Sequence, residues 1–551
     1  MESSSQNSAP SSWRDCFIFK RLRMLVPVGS KTEVIELFKL AGPVIISQLM
    51  VFSVSFVSTI FCGHMGKTEL AGVTLAIAVI NVTGISIGAG LAAACDTLIS
   101  QTFGGRNLLR VGVILQRAIL ILTLACFPCW AVLINTEPLL LAVRQEPEVA
   151  RLAQLYVKIF MPALPATFMY SLLTRYLQNQ GIIWPQVITG VIVNFLNALI
   201  NYIFLKALNL GVAGSALANT LSQYSLTVVL YAYIIWRGLH KATWGGWSKE
   251  CLRDWGSYIY LAIPSMVMLC VEWWTYEIGS FLAGLISEVE LGAQSVVYEL
   301  ANVAYMFPMG FGIAGNVRVG NALGAGDTKQ AKLSAKLAMF CSVSVSVCSA
   351  VIIGSSKDHI SYVFTYDEQI RQRVAQVISF YAPFLLLDAT SAACGGIIRG
   401  AGKQKVGAIC NILGYYTIGF PIGVSLMFAA KLGIMGLWTG LFTCGFLQCV
   451  FLIFYLVRMN WKKATVEAQI RAGVCGSSTD ASPGPQSGDP EDLQSPTDSM
   501  DLVYTEAPEK PVEEEISYKA LVLRRGLAVA AMLFILAAGI ITNLLVTNLV
   551  T

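Results

Sequence analysis

Four carboxylates stand inside strongly apolar, membrane-length stretches of this chain: Glu272, Glu277, Glu299 and Asp388. An ionised acid at the centre of a bilayer costs roughly 3 kcal/mol on insertion scales. Four such costs point to a cavity in which protons or cations bind part-way across a membrane. Aromatic side chains stand beside the acids: Trp273, Trp274, Tyr276, Tyr298 and Tyr305. A carboxylate supplies counter-charge, and each ring face adds roughly 0.5–2 kcal/mol to a desolvated cation. The combination suits organic cations, with protons competing for the same oxygens.

Spacing sets which of these groups share a surface. Glu272 and Tyr276 are four residues apart, as are Trp273 and Glu277, so each pair lies on one helix face. The two glutamates are then about 140° apart at 3.6 residues per turn, and one binding point for both needs a bend at Pro264 or a local unwinding. On the next span Glu299 and Asn302 are three apart, and Tyr298 and Tyr305 form one stripe. Asp388 comes from a third span, so acids of three helices are expected to converge on one cavity. In the first half, Gln48 and Asn81 are neutral groups that either line the cavity or join helices by hydrogen bonds. Asp96 lies toward basic Arg106 and Arg110 and reads as a gate or surface ion pair.

The elements that must position these residues are transmembrane helices. The chain has 551 residues, 55% hydrophobic and only 13% charged, with a mean hydropathy of +0.64, whereas soluble domains carry about 25% charged residues. Twelve spans fall between residues 36 and 458, and a thirteenth at 526–547 stands apart. Basic residues cluster in alternate loops, at Arg106 and Arg110, Arg237 to Arg253, Lys329 to Lys336, Arg399 to Lys405, and Lys462 with Lys463. With Arg14 to Arg23 on the same side, these loops place the N-terminus in the cytosol and Thr551 outside. The net charge of +5 reflects this loop bias and gives no reason to expect nucleic acid. The fourteen cysteines fall mostly within spans and read as small packing residues, including the Cys126–Cys129 pair.

Displaced by about 221 residues, the sequence aligns with itself. Leu40-Ala41-Gly42-Pro43 falls on Leu261-Ala262-Ile263-Pro264, Pro162 on Pro383 and Gly181 on Gly402; with one more residue, Gly211 and Gly214 meet Gly433 and Gly436. The expected fold is an all-α membrane protein of two six-helix lobes related by a pseudo-two-fold along the membrane normal, plus a thirteenth C-terminal helix. The divisions are 1–35, a cytosolic N-terminal segment; 36–238, the N-lobe; 239–255, an inter-lobe linker; 256–463, the C-lobe; 464–520, a disordered linker rich in Ser, Pro and acids; and 526–547, the last span. Ser482 and Ser495 in that linker each precede proline. The repeat also isolates the acids, because their first-half counterparts are Val51, Phe56, Ala78 and Thr167. The scaffold does not demand the charges; the second half adds them.

The segments FCGHMGKTELAGVTLAIAVINVTG (61–84), ACDTLISQTFGG (94–105), VEWWTYEIGS (271–280), LGAQSVVYEL (291–300), VRVGNALGAGD (317–327) and GGIIRGAGKQ (395–404) resemble the multidrug and toxin extrusion family, in its vertebrate kidney-and-liver type. The resemblance implies a secondary antiporter exporting organic cations for protons, in an apical or canalicular plasma membrane. It implies proton or cation binding at Glu272, Glu277 and Glu299, and at Asp388, where the family commonly has glutamate. It also links Cys62 and Cys126 to thiol-reagent sensitivity.

The residues themselves leave sodium coupling open, since carboxylates also suit hard cations. A lipid or lipid-linked sugar flippase would favour cationic side chains in its cavity. A passive channel would follow voltage alone. An ATP-driven pump lacks its GxxxxGK[ST] phosphate loop here. The expected protein is a transporter and not an enzyme. It has no cofactor or metal, the proton is the coupling ion, organic cations and the bilayer are its partners, and it acts as a monomer.

Overall fold

The computed structural model describes residues 29–474 and 517–550, and all regular structure among them is helical. The N-lobe comprises α1 (Ser30–Cys62), α2 (Thr68–Gly104), α3 (Leu108–Leu133), α4 (Pro147–Gln178), α5 (Trp184–Ala207) and α6 (Gly211–Arg237). The C-lobe comprises α7 (Trp255–Ile286), α8 (Glu288–Gly324), α9 (Thr328–Ser355), α10 (Glu368–Ala401), α11 (Gln404–Ala429) and α12 (Ile434–Arg458). A short helix, α13 (Trp461–Arg471), follows directly, and α14 (Tyr518–Val550) is the last element. The basic stretch Arg14 to Arg23, Ser482 and Ser495 lie outside the described residues.

Twelve of these helices are long and apolar enough to cross a membrane, α14 among them. The thirteenth, α6, is less apolar for a visible reason. Its middle carries Asn219, Thr220 and Ser222, which bond to neighbouring helices: Asn219 to the Tyr156 hydroxyl at 2.8 Å, Thr220 to the Ile159 carbonyl at 3.2 Å and Ser222 to Asn197 at 2.7 Å. Polar groups satisfied inside a bundle need not meet lipid.

Boundary residues explain where helices start and stop. Ser287 caps α8 by accepting from the Glu290 amide at 3.1 Å, and Asp327 and Asp367 do the same for α9 and α10. The repeat appears in the backbone itself. Gly181 and Gly402 end α4 and α10 in left-handed conformations with φ of 80° and 76°. Asn209 and Lys431, also related by the repeat, share φ of 49° and 55°. One side-chain bond is repeated too: Thr227 donates to the Ala166 carbonyl, and Cys449, its counterpart, to the Leu387 carbonyl.

Two boundaries differ from expectation. Residues 464–471, assigned by composition to the linker, are helical in α13. Asn460 caps this helix by accepting from the Lys463 amide at 3.1 Å, and Trp461, Ala464 and Ala468 form a buried stripe. The remainder of that linker, 475–516, lies outside the described residues. The last helix also exceeds its expected 526–547. It docks on α3, where Asn135 donates to the Gly539 carbonyl and Asn543 to the Ile134 carbonyl, both at 3.1 Å.

The lobes meet toward the end that carries the basic loops. There α2 and α8 cross at glycines: a Cβ on Gly104 would strike Asn321, and one on Gly324 would strike Gln101. Small residues let the backbones approach closely. The seam core is Leu37, Ala41, Phe311, Ala314, Ala338 and Cys341. Among the described residues, the inter-lobe hydrogen bonds end at Trp274, whose Nε1 donates to the Val82 carbonyl at 3.0 Å. That carbonyl lies in a π-helical turn, Asn81–Ile85, of α2.

Candidate functional site

The C-lobe core places the acids. Trp438 of α12, 1% exposed, stacks edge-on against Tyr381 and Phe384 of α10 at 5.5 and 5.6 Å. It also packs against Tyr276 of α7 at 6.4 Å, and Tyr276 meets Tyr298 of α8 at 5.9 Å. The Trp438 indole donates to Gln294 at 2.9 Å. This aromatic wall fixes the inner faces of α7, α8 and α10, and with them the carboxylates.

The acids sort into two pairs and do not share one point. Glu272 of α7 and Asp388 of α10 lie close enough for their charges to interact, with the hydroxyls of Tyr276, Tyr305 and Tyr415 in the field of both. Glu277 of α7 interacts with Glu299 of α8, beside Tyr298 and Asn302. The physical reason is the angle along α7: the helix continues through Pro264 without unwinding between Glu272 and Glu277, so the two side chains leave on different faces. Asp388 is 8% exposed, Glu272 and Glu277 are half-buried and Glu299 is exposed.

None of the four makes a salt bridge or a side-chain hydrogen bond with another described residue. Other acids within the spans are treated differently. Glu33 is 3% exposed and bonded by Arg318 at 2.6 Å, by Gln330 and by Ser334. Glu290 pairs with Arg373 at 2.8 Å. Asp96 is buried, not superficial, and its partners are Arg175 and Arg399 rather than Arg106 and Arg110. It joins the lobes, since Arg399 belongs to α10.

The remaining expected residues divide. Tyr276, Tyr298, Tyr305 and Asn302 stand with the acids. Trp274 forms the inter-lobe latch. Trp273, 37% exposed, takes no part in the aromatic wall. Gln48 and Asn81 are half-buried in the N-lobe, without side-chain bonds to the acids. Sequence reasoning missed Tyr381, Tyr415 and Arg399. The Tyr381 hydroxyl is buried without a hydrogen-bond partner, close to Asp388. Its signal was available, because Tyr381 and Asp388 are seven residues apart on one helix, the spacing that singled out Tyr298 and Tyr305. Arg399 and Glu272 line a cavity of about 30 Å³ together with Tyr305, Met268 and Asn411. Among the described residues, no cluster of His, Cys, Asp and Glu has the arrangement of a metal site. All twelve described cysteines are free thiols.

The MatE family matches this chain twice, over residues 43–203 and 264–425, two copies displaced by the repeat seen in the backbone. The chain belongs to the multidrug and toxin extrusion family. It is 64% identical to multidrug and toxin extrusion protein 1 of Danio rerio, over 95% of this chain and 92% of the relative. To the Homo sapiens protein of the same name it is 52% identical, over 93% and 94%. Among solved structures, the crystal structure of the eukaryotic MATE transporter AtDTX14 superposes with a TM-score of 0.78 at 28% identity, covering 81% of this chain and all of that one. An efflux transporter with many membrane-spanning helices is thereby the general function; its substrates and coupling ion are a separate matter.

Proposed function

We propose that the protein exports organic cations in exchange for protons by alternating access. The observation that carries this reading is that, among the described residues, Glu272, Glu277, Glu299 and Asp388 make no salt bridge, whereas buried Glu33 and Asp96 are paired with arginine. A carboxylate without a salt bridge inside a membrane is stabilised by taking up a proton or a positively charged ligand. The tyrosine faces beside it favour an organic cation over a strongly hydrated one. Proton and substrate then exclude each other at the same oxygens, and that exclusion is the coupling.

The energy is sufficient. One pH unit corresponds to about 1.4 kcal/mol, which supports a tenfold cation gradient for one-for-one exchange. The basic loops favour a cytosolic location for the end at which the lobes meet. We place the protein in the plasma membrane as a monomer, with its N-terminus inside and the end of α14 outside. No bound cofactor is needed.

Uptake of a fluorescent organic cation into proteoliposomes, driven by an imposed pH gradient, tests the reading. Inside-acid vesicles are expected to accumulate the cation, and Glu272→Gln is expected to abolish accumulation. Uptake driven by a sodium gradient and indifferent to pH would replace the proton as coupling ion. Flux of a lipid headgroup instead of the cation would replace the substrate class.

A further inference from the structure

We propose that α13 is a bolt across the seam of the lobes at the basic end, anchored in the C-lobe and releasable from the N-lobe. The inference rests on the alternating-access reading above, in which that seam must part once per cycle. α13 is joined to α12 through Asn460 and buries Trp461 against the C-lobe. Lys403 pairs with Glu467 at 2.9 Å, and Thr328 bonds Thr465 at 2.7 Å.

Its far end reaches the other lobe. Asn107, at the start of α3, donates to the Ala472 carbonyl at 3.0 Å, and Arg471 donates to the Gln101 side chain of α2 at 3.4 Å. Gln101 in turn donates to the Gly400 carbonyl of α10 at 2.8 Å, so α13 closes over a bond that already crosses the seam. Gly473, with φ of 74°, turns the chain at this contact.

The two anchorages differ in kind. The C-lobe grip combines a charge-assisted bond with a buried indole. The N-lobe grip consists of one neutral bond, one bond from Arg471 stretched to 3.4 Å and methyl contacts of Ala472 and Val474 at Gly105. These are weaker than a 2.9 Å charge-assisted bond, since neutral bonds are roughly half as strong and bonds weaken with length. When the lobes rock, the N-lobe contact is the one that yields. A helix outside the spans thereby sets how firmly the closed end is held, without touching the cation cavity.

A disulfide tests the bolt. A Cβ placed on Gly105 lies 2.9 Å from the Ala472 Cβ, and a small relaxation brings the pair to the ~3.8 Å of a disulfide. Gly105→Cys with Ala472→Cys is expected to cross-link under mild oxidant and to lose pH-driven cation uptake at least tenfold, with recovery in reductant. The single variants Gly105→Cys and Ala472→Cys, which cannot form this cross-link, should transport equally in both conditions. Full transport by the cross-linked Gly105 pair, or failure of that pair to cross-link, overturns the proposal. Asn107→Cys with Ala472→Cys repeats the measurement at the neighbouring contact should Gly105→Cys fail to fold. Uptake by the unmodified protein separately tests the transport reading, so the two failures are distinguishable.

Discussion

The two lobes share a backbone plan and differ in what fills it. In the N-lobe, α5 carries Asn194, Asn197 and Asn201 one turn apart. They donate to the Met50 and Val54 carbonyls and the Ser58 hydroxyl of α1 at 2.9, 3.0 and 3.3 Å. The C-lobe counterparts of these amides are Tyr415, Ile418 and Ile422. Where the C-lobe has Tyr276, Tyr305 and Tyr381, the N-lobe has Ser55, Gly84 and Phe160. Along α1 and α5 the first lobe uses neutral amides that zip the two helices together. The other holds four carboxylates that make no salt bridge among the described residues, and the buried Tyr381 hydroxyl without a hydrogen-bond partner among them. A repeated scaffold thus separates support from chemistry, because a neutral amide ladder stabilises a helix pair without creating a charge for solvent or ligand to answer.

The sharpest way to break this comparison is to exchange charge for amide. Glu272→Gln and Asp388→Asn are each expected to lower pH-driven cation uptake more than a hundredfold. Asn194→Ala, in the N-lobe ladder, should leave the pH dependence of uptake unchanged even where it lowers protein yield. A similar loss of proton coupling in Asn194→Ala would erase the distinction between the lobes.

Next in size is the paired acid of α1. Glu33→Ala removes one partner of a buried ion pair and strands Arg318, which costs about 3 kcal/mol. Thermal unfolding of the purified protein should show the loss, and Glu33→Ala with Arg318→Ala together should recover much of it. No recovery in the double variant would mean that Gln330 and Ser334, not Arg318, carry the contact.

Smaller effects separate the repeat from its additions. Gly181→Ala and Gly402→Ala face the same left-handed penalty, about 1–2 kcal/mol. Yet a Cβ at Gly402 would strike the Arg471 guanidinium, whereas at Gly181 it meets open space. The Gly402 variant should therefore be the less stable by melting temperature, and equal melting would remove α13 from that account. Of similar size is Trp438→Phe, which deletes the indole bond to buried Gln294 and leaves its oxygen without that donor, at about 1–3 kcal/mol, and should lower the melting temperature.

Particular residues show what could be read beforehand. The spacing of Tyr298 and Tyr305 put both on one stripe of α8, where Tyr298 meets Tyr276 and Tyr305 lines the small cavity with Glu272. The neutral counterparts of the acids showed that the second half adds the four carboxylates. Trp273 and Trp274 looked equivalent in sequence, yet one is exposed and the other latches the lobes, since neighbours on a helix differ by 100°. Asp96 read as a gate or surface ion pair beside Arg106 and Arg110, but it is buried and its partners lie 79 and 303 residues away, at Arg175 and Arg399.

The amino-acid order alone determined the membrane class, the two six-helix halves and the four unusual acids, because hydropathy, periodicity and repetition are local or self-referential signals. Only the tertiary structure decided that Glu272 goes with Asp388 and Glu277 with Glu299, that Arg399 pairs with Asp96 while lining a cavity with Glu272, and that α13 spans the seam. Each of those depends on the rotation and crossing of helices distant in the chain, which side-chain packing sets after the spans have formed.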